Sequence, residues 1–424
     1  MRVWTISLAA GLLIAASGTA TAQGRQPSDS LAQELAALRQ RLDSLERLVA
    51  QLTPQRVDTA KTPADELAAL RAAASEAARQ PDSTAQRADT GAGKFVSRTR
   101  MQSQLNPEIS VTGDVRVVGR RPGPQQDNFD FREFEFGFQS PLDPYAVTKI
   151  FASFEGGHFD IEEAYAYWTG LPGHVRLDVG RFRQQLGELN RWHLHGVPES
   201  EYPLALHEYL GDDGLIGNGL GLYWVAPTEG AALGTHELWG QVTLADNAVL
   251  FDGGHRVSLL GHINNFWQLS QSVFLQLGLS GVYGQNPDDQ LKSRLLGADF
   301  RLSWRPPAQA LYHSLTLRAE GLAVRQERYG VGQTRRGGYV SGEYQLSRRI
   351  FAGLRYDRVE PLLGLTDATW MVVPHLTWWQ SEWVFLRAEW QHTSVPVTAT
   401  LRNASDRFLI QAVWSIGPHK HETY

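Results

Sequence analysis

Apolar and polar residues alternate with a period of two from about Pro107 to the C-terminus. In the segment from Arg294 to Trp304, one face carries Leu296, Ala298, Phe300, Leu302 and Trp304, and the other carries Gly297, Asp299, Arg301 and Ser303. Such alternation predicts a strand with one apolar and one hydrated face. We predict about sixteen strands of this kind, over residues 107–120, 130–139, 145–155, 159–170, 174–183, 217–226, 235–245, 256–267, 273–285, 293–305, 313–325, 337–346, 349–358, 369–379, 382–393 and 405–417.

An even number of antiparallel strands returns both ends of the chain to the same side of a barrel. The pattern therefore predicts an all-β transmembrane barrel over residues 105–424. Aromatic side chains support this register, because one stands just before each predicted turn that follows an even-numbered strand, with another near the end of the last strand. Aromatic rings of this kind prefer the membrane–water boundary. These residues are Phe138, Trp168, Trp224, Trp267, Trp304, Tyr344, Trp378 and Trp414.

The N-terminus has the three parts of a secretory signal peptide. Arg2 precedes an apolar run from Val3 to Ala16, and Ala20-Thr21-Ala22 forms a cleavage site. A transmembrane anchor is the alternative, but the apolar run is too short for it. We therefore expect residues 1–22 to be a signal peptide.

A heptad pattern follows the signal peptide. Leu31, Leu35, Leu38, Leu42, Leu45, Val49 and Leu52 are spaced alternately four and three residues apart. This seam predicts a self-associating α-helical coiled coil over residues 30–53, and a lone amphipathic helix packed on the barrel is the alternative. Residues 54–104, rich in Ala, Arg, Asp, Ser, Thr and Pro, are expected to form a flexible linker in the periplasm.

Composition and motifs narrow the functional classes. The chain has no cysteine, so disulfides and thiolate metal sites are excluded. Its net charge is −5 and its mean hydropathy −0.30, values that a barrel with water on one face of each strand also gives. Neither G-x-S-x-G, H-E-x-x-H nor a P-loop occurs. We therefore predict no enzyme, no cofactor and no nucleic-acid partner, with a barrel-embedded hydrolase and a structural tether between outer membrane and cell wall as alternatives.

The most specific motif runs from Glu163-Ala164-Tyr165 through Gly180-Arg181-Phe182-Arg183 to Leu186-Gly187-Glu188-Leu189-Asn190-Arg191, His193 and His195. Tyr202-Pro203-Leu204, Leu210-Gly211 and Gly214-Leu215 continue it. With its coiled coil, linker and barrel, the chain resembles the phosphate-selective porin O/P family and related outer-membrane proteins. The resemblance implies a sixteen-stranded homotrimeric porin for small hydrophilic solutes or ions, including anions such as phosphate, with the stalk in the periplasm and in reach of the cell wall.

The connection from Gln184 to Gly217 is the longest and the third on the predicted extracellular side. In trimeric porins the third extracellular loop narrows the lumen, so we expect the charges of this loop to face the opening. They are Arg191, His193, His195, Glu199, Glu201, His207, Glu208, Asp212 and Asp213. Two alternatives stay open. His193, His195 and His207 with Glu199 or Glu201 are plausible ligands for a divalent metal, and the charges of the loop can instead pair with the barrel wall.

Acidic and basic residues two positions apart share the hydrated face of several strands, where we expect them to point into the water. Rows of opposite charge across a pore produce a transverse field and little net selectivity. Family relatives owe anion selectivity to a ladder of lumen arginines, whereas here acids stand beside them. The predicted pore-lining residues are Arg116, Lys149, Arg176, Asp178, Asp299, Arg301, Arg318, Glu320, Arg355, Asp357, Arg387 and Glu389, with Asp114 beside Arg116.

Overall fold

The computed structural model describes residues 107–123, 128–228, 233–254, 256–287, 291–327, 333–363, 367–398 and 400–417. The predicted signal peptide at 1–22, coiled coil at 30–53 and linker at 54–104 lie outside these residues and stay predictions.

Sixteen strands form one closed antiparallel barrel, in which each strand pairs with its neighbours in sequence and β1 pairs with β16. The strands are β1 Glu108–Arg121, β2 Phe129–Pro141, β3 Ala146–Glu155, β4 His158–Leu171, β5 Val175–Arg183, β6 Ile216–Val225, β7 Thr235–Leu244, β8 Val257–Gln268, β9 Val273–Gln285, β10 Lys292–Trp304, β11 Leu315–Gln326, β12 Thr334–Ser347, β13 Ile350–Val359, β14 Thr369–Trp379, β15 Val384–Pro396 and β16 Arg402–Ile416. The predicted barrel is confirmed, and the strand ends differ from the predicted ends by at most three residues.

The outer face of the barrel is apolar and the inner face is largely polar. On β10, Leu296 is 67% exposed on the outside while its neighbour Leu295 is fully buried. Val340, Leu354 and Ile410 are other outward apolar side chains that are more than half exposed. A closed barrel satisfies every strand hydrogen bond internally, as hydrocarbon surroundings require. The molecule is thus a transmembrane barrel.

The aromatic residues predicted to mark the membrane boundary gather at one rim. Trp304 pairs with Val273 at the start of β9, Trp378 with Ile350 at the start of β13, and Trp414 with Val384 at the start of β15. Phe138, Trp168, Trp224, Trp267 and Tyr344 also lie at strand ends beside this rim. The rim corresponds to the turns that follow even-numbered strands.

Two short helices lie in connections on the opposite rim: α1, Leu204–Leu210, between β5 and β6, and α2, Ala248–Phe251, between β7 and β8. Both helices pack inside the barrel, where Leu206, Tyr209 and Leu250 join wall residues in a hydrophobic core. None of the helices in the described residues is long and apolar enough to cross a membrane.

Candidate pore loop

The connection between β5 and β6, residues 184–215, folds into the lumen, and we call it the pore loop. Its Glu199 contacts Arg355 of β13 at 2.8 Å. In a ring of sixteen strands, β13 is eight strands from β5 and therefore on the opposite wall. The pore loop thus crosses the lumen.

A single asparagine holds the two ends of the pore loop together. The Asn190 side-chain amide donates to the carbonyl oxygens of Gln184, at 2.8 Å, and Leu215, at 3.0 Å. Its Oδ1 accepts the backbone N–H of Leu215 at 2.7 Å. Asn190 is only 1% exposed, so the hydrogen bonds that join the two ends of the loop are shielded from competing water.

One half of the pore loop packs through apolar side chains. Leu206, Tyr209 and Leu210 of α1 are buried in the core with Leu322 and Val324 of β11. The Tyr209 hydroxyl donates to the backbone oxygen of Glu360, beyond the end of β13, at 2.9 Å. Burial of such side chains contributes about 1.5–3 kcal/mol each, so this half anchors the loop against one wall.

The other half of the pore loop is held by ion pairs with arginines of the barrel wall. Glu188 accepts hydrogen bonds from Arg301, at 3.1 Å, and Arg318, at 3.2 Å. The Glu201 carboxylate meets Arg407 of β16 at 2.9 Å and Arg116 of β1 at 3.2 Å. Together with the contact between Glu199 and Arg355, these pairs tie the loop to five strands.

The expectation that the loop charges face the opening is therefore wrong for several of them. His193, His195 and Glu199 are at most 4% exposed and turn to the wall. The physical reason is the cost of an unpaired buried ion, which is several kcal/mol. Wall arginines need partners, and the carboxylates of the loop supply them.

The remaining predicted loop residues are placed differently. His207 and Asp212 form an exposed pair at 2.6 Å, with side chains 61% and 82% exposed. Arg191 lies over the ring of Trp239 at 5.5 Å. The backbone oxygen of Asp213 accepts from Arg183 at 2.7 Å, and Glu208 accepts the N–H of Leu362 at 2.7 Å.

The twelve predicted pore-lining residues all lie on the inner face, but they do not point into open water. Arg176 pairs with Asp178 at 2.7 Å, and Arg355 pairs with Asp357 at 3.1 Å, as neighbours on one strand can. The other predicted pore-lining residues contact partners on different elements. The pore loop and the adjacent strands bring these partners closer than the residue two positions away on the same strand. The remaining contacts are those of Arg116 with Asp130, Lys149 with the Tyr167 ring, Asp114 with Arg132, Arg387 with Thr377 and Gln411, and Glu389 with Ser200. Asp299 and Glu320 face each other across β10 and β11.

The histidines of the loop meet carboxylates of the wall. His193 Nδ1 contacts Glu135 and lies 3.2 Å from Glu162, and its Nε2 lies 2.7 Å from Glu163. Burial lowers the pKa of His193, but the charges of Glu135 and Glu162 outweigh it and raise this pKa to about 10. His195 Nδ1 lies 3.6 Å from Glu133. The alternative that groups these histidines with His207 around a metal finds no support in this geometry, since His207 is exposed on α1.

Two β-bulges explain why sequence reasoning missed part of this cluster. Arg132 has no partner in the register of β1 with β2, and Glu162 has none in that of β3 with β4. A bulge lets two consecutive side chains turn to the same side. Glu162 and Glu163 thus both reach His193, although strict alternation would separate them. The roles of Glu188 and Arg407 also emerge only from the folded loop, and the sequence signal for Glu188 is its place in the motif around Gly187.

Comparison with known proteins supports the fold. No family model matches the chain. An uncharacterised protein of Aquifex aeolicus is 31% identical over 136 residues, which are 31% of this chain and 29% of that protein, so the chain matches less than a third of its length. An anion-selective porin from Comamonas acidovorans superposes with a TM-score of 0.52 at 10% identity, covering 74% of this chain and all of that one. Pseudomonas putida OprB gives a TM-score of 0.51 at 10% identity, covering 75% and 96%. The chain is similar to these porins in fold.

Proposed function

We propose that this chain is an outer-membrane diffusion porin for small hydrophilic solutes or ions. The observation that carries the proposal is the pore loop, which crosses the lumen of a closed barrel with an apolar outside. A barrel of sixteen strands is wide enough for an aqueous channel unless something occupies it. A loop held across it by wall contacts is the element that would set the size of the passage.

The same proposal includes the oligomeric state and the cellular location of the protein. We expect a homotrimer in outer-membrane lipid, with the N-terminal stalk in the periplasm and close to the cell wall. The fold shared with porins and the heptad seam between Leu31 and Leu52 support self-association.

Anion preference, and phosphate preference in particular, is the finer part of the proposal. The anion-selective porin of the same fold and the resemblance to the phosphate-selective family make phosphate the first solute to test. The paired lumen charges support only a weak preference. Arg176, Arg355 and Arg407 each contact a carboxylate within 3.1 Å, which cancels most of their field at a distance.

Conductance measurements in planar bilayers test the proposal. The full-length protein should form channels, and replacing Asn190–Asp213 by a short Gly-Ser linker should raise single-channel conductance several-fold. Heat-modifiable mobility on gels would show that the shortened barrel is folded. The variant G196A, which adds a methyl group where the loop has open space, is the matched control and should conduct like wild type.

A second measurement addresses selectivity. Replacing Glu199, Glu201, Asp212 and Asp213 by amides should move the reversal potential in a salt gradient toward anions. Arg355, Arg407 and Arg116 lose the counter-charges of Glu199 and Glu201, and the loop loses the negative charges of Asp212 and Asp213. Unchanged conductance in a folded loop-deleted protein would show that the loop does not limit passage and would overturn its assignment as the constriction. Absence of channels from the full-length protein would overturn the porin proposal.

A further inference from the structure

Beneath the pore loop, side chains from β2, β4 and the loop bring metal-ligating atoms together. Ligand atoms of Glu133, Glu135 and His195 all lie within 4.8 Å of one another, and all three residues are buried. His195 Nδ1 and Glu133 Oε2 are 3.6 Å apart, too far for a good hydrogen bond. Two ligands bound tetrahedrally to one ion at about 2.1 Å would be roughly 3.4 Å apart, which is close to this separation.

A separate observation points to a missing positive partner. Glu133 Oε1 is buried and accepts no hydrogen bond, although the side chain of Glu133 is only 7% exposed. A buried carboxylate oxygen without a partner costs free energy unless a cation or donor meets it. The neighbouring arginines already contact other carboxylates, because Arg132 meets Asp114 at 3.3 Å and Arg183 meets Glu162 at 2.5 Å.

His193 is placed to orient one of these carboxylates. His193 contacts Glu135 through Nδ1 and Glu163 through Nε2, at 2.7 Å in the second case. Partners of this kind orient the carboxylates that bind a metal ion and tune their basicity. A second triad of Glu135, Glu162 and His193 exists, but the contact of Glu162 with Arg183 makes it the poorer site for a dication.

An acidic cavity leads to the cluster. It has a volume of about 390 Å³ and reaches solvent at the exposed turn between β3 and β4. Its lining holds two arginines, Arg132 and Arg183, and a larger number of carboxylates, which are Glu133, Glu155, Asp160, Glu162 and Asp213. Such a lining concentrates cations at the entrance.

We propose that Glu133, Glu135 and His195 bind one divalent transition-metal ion, with His193 orienting Glu135 and with the open coordination positions facing the cavity. One imidazole and two carboxylates suit Zn²⁺, Co²⁺, Mn²⁺ or Fe²⁺ better than Ca²⁺, which prefers an all-oxygen shell. The ion would join His195 of the pore loop to the two glutamates of β2. The inference concerns metal binding and does not depend on channel activity.

Titration of the full-length protein in detergent with Co²⁺ tests the proposal, after stripping with a chelator. We expect one ion per chain by calorimetry, displacement by Zn²⁺ but not by Ca²⁺, and visible absorption from Co²⁺ with a nitrogen ligand. The variants H195N, E133Q and E135Q should each weaken binding by about 100-fold or more, because loss of a residue that only orients a metal ligand already costs about 10–100-fold.

The matched control is H207A, which removes an exposed histidine of the same loop. It should leave Co²⁺ affinity unchanged. If E135Q does not fold, H195N and E133Q decide the result, with heat-modifiable mobility as the check for a folded barrel. Absence of saturable binding to folded wild type, or wild-type affinity in H195N and E133Q, would overturn the proposal.

Discussion

Arg355 shows how a charged side chain can occupy the interior of this barrel. Its side chain is fully buried, yet it meets Asp357 at 3.1 Å, Glu199 at 2.8 Å and the backbone oxygen of Glu201 at 2.9 Å. A guanidinium presents several donors in a plane and can serve partners on different elements at once. Arg355 therefore links the wall to the far end of the pore loop.

Replacing Arg355 by methionine should destabilise the folded protein by about 3–5 kcal/mol, because Glu199 and Asp357 would lose their buried counter-charge. The double variant R355M/E199Q should be less destabilised than R355M alone. Thermal denaturation of the detergent-solubilised protein, followed by gel mobility, measures both. A double-variant loss equal to the sum of the losses in R355M alone and in E199Q alone would show that the two side chains are not coupled.

Glu201 makes the pore loop sensitive to acid. Burial raises its pKa, but the charges of Arg407, Arg116 and Arg132 outweigh burial and lower this pKa to about 2 from the ordinary 4.5. A lowered folded-state pKa stabilises the fold fully above the ordinary value, and the stabilisation is lost as pH falls through the folded pKa.

We therefore expect the anchoring by Glu201 to weaken between pH 4.5 and about 2, with larger conductance fluctuations in planar bilayers as the loop loosens. Gln391 and Asp130 also lie beside the arginines that contact Glu201. The variant E201Q, which carries no charge to titrate, should fluctuate already at neutral pH and change less in this window. The same acid response in E201Q and wild type would assign it to other groups.

At the scale of the element, the turn at Gly187 decides how the pore loop enters the lumen. Gly187 has φ +58°, a conformation that favours glycine, and its N–H donates to Ser280 of β9 at 3.1 Å. A Cβ atom there would overlap the carboxylate of Glu320. The next residue, Glu188, is the one that contacts Arg301 and Arg318.

The variant G187A should displace this turn, costing about 1–3 kcal/mol of strain and loosening the Glu188 contacts. We expect the loop to become more sensitive to added protease, with the barrel still folded. Gly196 of the same loop has open space at its Cβ position, so G196A is the matched control and should resist protease like wild type. Equal resistance of both variants would contradict the role assigned to the turn.

At the scale of the whole molecule, the proposed trimer makes a direct prediction. The purified protein should migrate as an SDS-resistant or heat-modifiable oligomer, with the mass of three chains by native mass spectrometry. A variant that lacks residues 30–53 should be less stable as a trimer, because the heptad seam would be absent. Only monomers of the full chain in mild detergent would contradict the assembly.

The orientation of the barrel is also testable on cells. If the rim with the aromatic residues is periplasmic, epitope tags near Asn286 and Thr398 should be reachable on intact cells. Tags near Gln125, Gly332 and Gly364, which lie outside the described residues, should be reachable too. A tag near Ala60 should become reachable only after the outer membrane is opened. The reverse labelling pattern would contradict the proposed orientation.

The sequence by itself determined the barrel. Alternation along a strand is a local property, because successive side chains point to opposite faces whatever lies across the sheet. That is why the strands could be predicted to within three residues at each end. The pore loop stood out in the sequence because it is the longest connection between predicted strands. The aromatic rim followed from the same register.

Only the tertiary structure decided where the charges of the pore loop go. Glu199 and Arg355 are 156 residues apart in sequence, and their meeting depends on the closure of the barrel and on the path of the loop across it. The bulges at Arg132 and Glu162 break the alternation locally, so the pairing of strands, not the order of residues, places Glu162 beside His193. The buried ions of the loop and of the wall then meet as partners, because an unpaired ion inside the barrel costs several kcal/mol.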